Sequence, residues 1–232
     1  MTAERLTPSQ LDPYRRLSTC MVASAIETFD VRLRNTGFAD SSVRCIFPEF
    51  PPMVGYAATA RIRSAEPPME GQSYYTRTDW WNHILTIPEP RIVVIEDMDD
   101  PAGVGAFIWE VHACILKALG CVGLVTNGAV RDLPSVEASG FQLFAGDVAV
   151  SHAYAHVFDF GGSVQVGGLK VKPGDLIHGD IHGVLSVPLE IAAKVPAKAE
   201  EIQKKRERLL GCCCAKDFTV AKLRETLKEV ES

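Results

Sequence analysis

Several things are missing from this chain, and each absence narrows what it can be. Its longest apolar stretches stop well short of the roughly 20 residues a membrane helix needs, so no membrane partner is expected. No stripe of Lys and Arg is clustered against a net charge of -5, which argues against nucleic acid as a partner. The N-terminal run MTAERLTPSQLDPYRRLS is polar and lacks an apolar signal region, so a cytoplasmic protein is expected. There is no CxxC spacing. The 7 cysteines are odd in number, and the three at Cys212-Cys213-Cys214 are adjacent, so a disulfide framework is not expected. They read as reduced thiols where a helix ends at Gly211. Internal repeats and low-complexity segments are also lacking.

What is present is ordinary for a globular chain of 232 residues: 47% hydrophobic, 23% charged, with 18 Gly and 14 Pro. STCMVASAIETF (18–29) reads as a helix capped by Ser18 or Thr19. GYAATARIR, with its alternation of small apolar and polar residues, reads as a strand. TDWWNHILTI reads as a short helix opened by Thr78 or Asp79 and stopped by Pro88 and Pro90, and RIVVIED as a buried strand. GAFIWEVHACILKALG reads as one helix, with Ile108, Val111, Ile115, Ala118 and Leu119 at three- and four-residue intervals and Gly120 as its C-cap. CVGLVTN is a strand, LPSVEAS a helix and FQLFAGDVAV a strand. This alternation over 91–150 predicts parallel strands with crossover connections. VQVGGLKVKPGDLIHGDIHGVLSVP is strand-rich and turns at Pro173-Gly174-Asp175. LEIAAKVPAKAEEIQKKRERLLG is a charged helix broken or kinked at Pro196, and VAKLRETLKEV is a last helix. The fold class is α/β with mixed sheets and a C-terminal helical tail. A single domain over 1–232 is expected, with a core of 18–210 and a helical extension of 211–232.

In TNGAVRDL, Arg131 and Asp132 follow the strand CVGLV. Ligands of open α/β sheets bind beyond the carboxyl ends of parallel strands. A surface ion pair, or Asp132 as a helix N-cap, accounts for the position without function. The functional account has Arg131 forking onto a substrate carboxylate while Asp132 binds a hard cation.

GCVGLVTNGAVRDL resembles the GAVRD segment of the family that contains 4-hydroxy-4-methyl-2-oxoglutarate aldolases, oxaloacetate decarboxylases and RraA-type regulators of ribonuclease activity. RIVVIED, the Trp109-Glu110-Val111 helix and VGGLKVKPGDLIHGDIHGVLSVP resemble further family segments in the same order, over roughly 18–210. The resemblance implies a swivelling β/β/α sandwich, trimeric or hexameric, with sites between subunits. It implies Arg131 as the substrate-carboxylate arginine, Asp132 as the metal ligand for Mg2+ or Mn2+, and Glu110 as an acid near the metal's water shell. Backbone amides at Glu110 and Val111 would then face the substrate. The implied activity is metal-dependent cleavage of a 4-hydroxy-2-oxo acid to pyruvate, or decarboxylation of oxaloacetate. Both reactions pass through a metal-stabilised pyruvate enolate, and in the aldol case a metal-bound water oriented by Glu110 or a neighbour's Glu is the base that takes the C4 hydroxyl proton. Glu200 and Glu207 are candidates for an acid lent by the adjacent subunit. The regulators that inhibit ribonuclease E lack the aspartate, so Asp132 favours the enzyme. The alternatives are a non-catalytic regulatory binding protein and a metal-dependent lyase acting on another acidic substrate. Two departures concern the pocket: EDMDDPAGVGAF stands where the family loop is rich in glycine, and Trp109 replaces a small residue.

Other residues invite weaker readings. His178, Asp180 and His182 would share one face of a continuous strand, which suggests zinc, but Gly179 and Gly183 suggest a bend. His152 and His156 are candidates for contact with substrate or with residues behind it. His112 reads as a packed imidazole and Cys114 and Cys121 as small core residues. Trp80 and Trp81 read as packing, and the KKRER run as a solvated helix face.

Overall fold

The computed structural model describes residues 5–68 and 77–231. A short helix α1 (Pro8–Leu11) and a 3-10 turn (Asp12–Arg16) lead to α2 (Thr19–Glu27). Ser18 caps α2, its Oγ accepting from the Met21 amide at 3.2 Å.

The main sheet orders its strands β1 (Arg44–Cys45), β7 (Gln142–Ala145), β5 (Cys121–Thr126), β3 (Arg91–Asp97), β2 (Met53–Arg63), β12 (Leu176–Asp180) and β13 (Gly183–Val187). β2, β3, β5 and β7 run parallel. β2 is 11 residues long, and two antiparallel partners share its other edge: β12 along Met53–Tyr56 and β9 (His156–Phe160) along Ala60–Arg63. It is the strand expected of GYAATARIR, and it is central, buried on both faces over Met53–Ala60.

Successive residues of each strand supply opposite cores. Val93 and Ile95 join one core, which includes Met21, Val22, Trp80, Leu116 and Val136 from the helices. Ile92 and Val94 join the other, roofed by the hairpin β10 (Val164–Val166) and β11 (Leu169–Val171).

A second sheet, β4 (Ala106–Ile108), β6 (Ala129–Val130) and β8 (Asp147–Val148), is wholly parallel. The chain therefore repeats one unit: a strand of the main sheet, a strand of the small sheet, then a helix. β3–β4 leads to α4 (Glu110–Ala118), β5–β6 leads to α5 (Leu133–Ser139), and β7–β8 begins the next. Two layers of β and one of α make the β/β/α sandwich. Residues 105–120 are consequently a strand followed by a helix, not one helix, and FQLFAGDVAV is two strands in different sheets. Gly146 marks that break, because a Cβ there would lie 2.2 Å from the Asn127 carbonyl oxygen.

α3 (Arg77–Leu85) packs its Trp80 in the core. The tail forms α6 (Val195–Cys213) and α7 (Val220–Glu231). Residues 189–194, expected to begin this helix, form turns instead; Pro196 opens α6 and does not break it, since a residue without an amide hydrogen costs nothing in a first turn. α6 also continues through Gly211 to Cys213, so Cys212 and Cys213 lie inside its last turn.

Candidate functional site

Three chain crossings between the sheets hold one another in place. The Asn127 side chain donates from Nδ2 to the Asp97 carbonyl at 3.0 Å, and its Oδ1 accepts the Asp97 amide at 2.8 Å. The Gly146 amide donates to the Gly128 carbonyl at 3.1 Å. The loop that replaces a glycine-rich one is tied by carboxylates instead. Asp97, buried, accepts from the amides of Gly103 (2.8 Å) and Asp99 (3.1 Å). Asp99 accepts from the amides of Ser64 (2.6 Å) and Ala65 (2.8 Å). Burial raises the Asp97 carboxyl above its usual range despite those amide bonds. Asp99 is also pushed up by burial, but the Ser64 and Ala65 hydrogen bonds outweigh this and hold it below.

With the crossings fixed, the carboxyl ends of the small parallel sheet lie side by side. β4 delivers Trp109 and Glu110 into the start of α4, and β6 delivers Arg131 and Asp132 into the start of α5. The Arg131 amide donates to the Ile108 carbonyl at 3.0 Å and the Ala149 amide to the Val130 carbonyl at 3.0 Å, which aligns the three ends. The sequence-expected residues Arg131, Asp132, Glu110 and Val111 are therefore brought to one edge. Glu110 and Val111 are exposed in the first turn of α4.

Arg131 Nε lies 3.4 Å from Asp132 Oδ1, with side-chain exposures of 27% and 34%. Packing does not wall off either group. Asp132 occupies the N-cap position of α5 in a left-handed conformation, φ 55° and ψ 38°, and its side chain makes no capping hydrogen bond. A non-glycine residue held there costs on the order of 1 kcal/mol, and such residues cluster at functional sites. Trp109 at the N-cap of α4 likewise makes no side-chain cap, leaving the first-turn amides of Glu110 and Val111 without one. The edge thus offers two accessible carboxylates, Asp132 and Glu110, one accessible guanidinium and helix amides, a set suited to an acidic ligand with a hard cation.

Sequence reasoning missed Asn127, whose clamp orders the crossing, and the pairing of Trp109 with His152. Those two rings meet edge-on with centroids 6.3 Å apart. The spacing of His152 and His156 hides this arrangement, since His156 bonds the Tyr154 carbonyl through Nδ1 at 2.6 Å and lies on β9. His112 is buried, with Nδ1 2.6 Å from the Phe107 carbonyl oxygen, and belongs to the packing.

The zinc spacing on β12 does not form a site. His178 is fully buried, and its ring nitrogens meet Thr19 Oγ1 and the Tyr14 carbonyl, each at 3.0 Å. Asp180 accepts from the amides of Thr19 (3.0 Å) and His182 (2.9 Å), and His182 lies beyond the strand end. Among the described residues no three His, Cys, Asp or Glu side chains converge as metal ligands. Glu200 and Glu207 line a cleft of about 600 Å3 with Arg16, Ser18 and Met21. Cys121 is buried, its thiol pushed up to about 12 by desolvation, but Cys114 is exposed and is not a core residue.

Comparisons with known proteins agree with this architecture. A protein of Halalkalibacterium halodurans provisionally named a 4-hydroxy-4-methyl-2-oxoglutarate aldolase is 33% identical over 99 residues, or 41% of this chain and 47% of that protein. Protein DlpA of Legionella pneumophila is 25% identical over 133 residues, 55% of this chain and 21% of its own length. The chain thus spans less than half the length of each of these two relatives. Among solved structures, an uncharacterised protein of Pseudomonas syringae superposes with a TM-score of 0.75 at 20% identity, covering 97% of both chains. RraAS2 of Streptomyces coelicolor, described as an unusual member of the RNase ES inhibitor RraA family, gives 0.69 at 18% identity, covering 88% of this chain and 97% of that one. At these identities the superpositions speak for the swivelling β/β/α fold alone. The RraA-like family profile, described as Aldolase/RraA, matches residues 19–186, and the chain belongs to that family.

Proposed function

We propose that this chain is a divalent-metal-dependent carbon–carbon lyase. It cleaves a 4-hydroxy-2-oxo acid of the 4-hydroxy-4-methyl-2-oxoglutarate type to pyruvate and decarboxylates oxaloacetate at the same site. The observation that carries the reading is the accessible Arg131–Asp132 pair at the edge where α4 and α5 begin without side-chain caps. The relative named as an aldolase supports it.

Asp132 fits a hard cation as a single carboxylate whose remaining partners are waters, the manner in which Mg2+ is commonly held; Mn2+ accepts the same ligands. When bound, the cation supplies Lewis-acid stabilisation of negative charge developing on the 2-oxo oxygen. Arg131 binds a substrate carboxylate through its planar fork and keeps the scissile bond oriented. Uncapped amides at Glu110 and Val111 receive a second anionic group. Glu110 takes the proton leaving the C4 hydroxyl, directly or through one water. In oxaloacetate no such proton leaves, so Glu110 matters to one reaction and not the other.

The assembly in this reading is a trimer, or a pair of trimers, with Glu200 or Glu207 of an adjacent subunit completing each site. Exposed valines on the segments framing the small sheet support an interface there: Val104, Val111, Val148 and Val150, the last 96% exposed. The test is pyruvate release from both substrates with Mg2+ and then with excess chelator. Turnover that stops with chelator and returns with Mg2+ is expected. A well-folded sample inert toward all such substrates would leave the regulatory reading in its place.

A further inference from the structure

The three adjacent cysteines play no part in the site above. α6 ends with Cys213, and Cys214 continues its hydrogen-bonding pattern, donating its amide to the Leu210 carbonyl at 2.9 Å. Arg206, Leu210 and Cys213 follow at intervals of four and three, so they share one face of the helix, and Cys214 stands four beyond Leu210. Cys213 and Cys214 are exposed, whereas Cys212 is half-buried. Leu210 is 54% exposed, and Phe218 and Val220 are exposed just across the turn. That turn is ordered: the Phe218 amide donates to the Ala215 carbonyl at 3.1 Å, and Thr219 Oγ1 accepts the Lys222 amide at 3.2 Å. Residues 204–222 hold six Lys and Arg against two Asp and Glu, in a chain whose net charge is -5. Lys216 forms no ion pair among the described residues; Lys204 and Arg206 line the cleft that holds Glu200 and Glu207, Lys204 and Lys205 act on Glu201 through space, Arg208 pairs with Glu229 at 2.6 Å and Lys222 pairs with Asp217.

We propose that the tip of the α6–α7 hairpin is a modification site, where Cys213 or Cys214 carries a thioester-linked fatty acyl chain that seats the tip on an anionic bilayer. This departs from the expectation of no membrane partner, and it requires no spanning helix. The donor is a long-chain acyl thioester of coenzyme A. The cysteine sulfur attacks the thioester carbonyl, and the new carbon–sulfur bond forms as the bond to coenzyme A breaks. The cysteine proton ends on the coenzyme A thiol, and nothing is oxidised or reduced. One acyl chain alone gives marginal, reversible binding, so a second signal is needed. The cationic collar supplies it, each Lys or Arg near an anionic surface being worth on the order of a fivefold gain. A thiophilic metal suits the tip less well, because no convergent ligand group exists among the described residues.

The test treats the full chain with palmitoyl-coenzyme A, maps the acylated cysteines by peptide mass, and sediments the product with phosphatidylcholine vesicles made with and without phosphatidylserine. Cys20 and Cys114, also exposed, are internal references. The expected result is hydroxylamine-labile acylation at Cys213 or Cys214 well above Cys20 and Cys114. Sedimentation should weaken more than about a hundredfold when phosphatidylserine is omitted, as an excess of several cations at about fivefold each implies, and vanish in the C213S/C214S double variant. Acylation spread evenly over the four cysteines, acylated protein left in the supernatant, or sedimentation without vesicles would each overturn the proposal.

Discussion

Asp180 and Asp132 both stand at the ends of short strands with a basic neighbour close by, yet their surroundings are opposite. Asp180 is 5% exposed and its oxygens accept from Thr19 and His182. Burial pushes its carboxyl up, but those hydrogen bonds more than compensate and hold it below the usual range. Its companion His178 has both ring nitrogens engaged inside the core. The Asp132 side chain is a third exposed on a backbone held in a left-handed conformation, and among the described residues its carboxylate pairs with Arg131 at a loose 3.4 Å. Saturated carboxylates hold folds together; an accessible one with capacity to spare is available to a ligand. Spacing in sequence did not distinguish them, and hydrogen-bond accounting does.

The sharpest way to break that contrast is to neutralise each acid in turn. Asp132→Asn should lower Mg2+-dependent pyruvate release about a thousandfold, as loss of a preorganised charge at a reacting centre does, while its melting temperature barely moves. Arg131→Lys should cost about ten- to a hundredfold in kcat/KM, since an ammonium cannot make the bidentate fork; steady-state kinetics on oxaloacetate checks this. Asp180→Ala should behave in the reverse manner. Losing a carboxylate that satisfies buried amides costs about 2 kcal/mol, or a melting point lower by about 5 °C, with turnover per folded molecule retained. Glu110→Gln should slow aldol cleavage about a hundredfold and leave decarboxylation nearly intact, a split that a purely structural role would not produce.

The smallest effect concerns pH. Burial lowers the His178 pKa from 6.5, although contacts with Tyr14, Asp180 and Leu17 oppose the shift. Above 6.5 the imidazole is neutral in both states and its contribution to stability is whole. Below that pH the unfolded chain takes up the proton first, so stability falls as the solution is acidified. Melting curves between about pH 7.5 and 5.5 should show this decline, and it should flatten in His178→Gln. A decline unchanged in the variant would assign it to other groups.

Much of the fold was legible from local chemistry. Ser18 as a cap, the parallel run β3–β5–β7, the Pro173-Gly174-Asp175 turn and the C-terminal helices all follow from periodicity and turn residues. The small sheet was not legible, for a physical reason. Ala106–Ile108 is apolar and runs directly into the apolar pattern of α4, and strands of two or three residues carry no period of their own. What separates the sheets is tertiary: the Asn127 clamp on Asp97 and the close approach of Asn127 to Gly146. The Arg131–Asp132 pair could be singled out because opposite charges at a strand end are conspicuous, whereas the Trp109–His152 contact joins residues 43 apart that share no motif. Pro196 shows the limit of breaker rules, since proline reads the same in a helix interior and at its first turn.

The central claim reduces to where a divalent ion binds. Titrating Mn2+ into the full chain and following the free ion by electron paramagnetic resonance measures this without any assumption about substrate. The account predicts one site per chain, displaced by Mg2+, lost in Asp132→Asn and retained in Asp180→Asn. Binding that survives in Asp132→Asn, or that disappears only in Asp180→Asn, would contradict it.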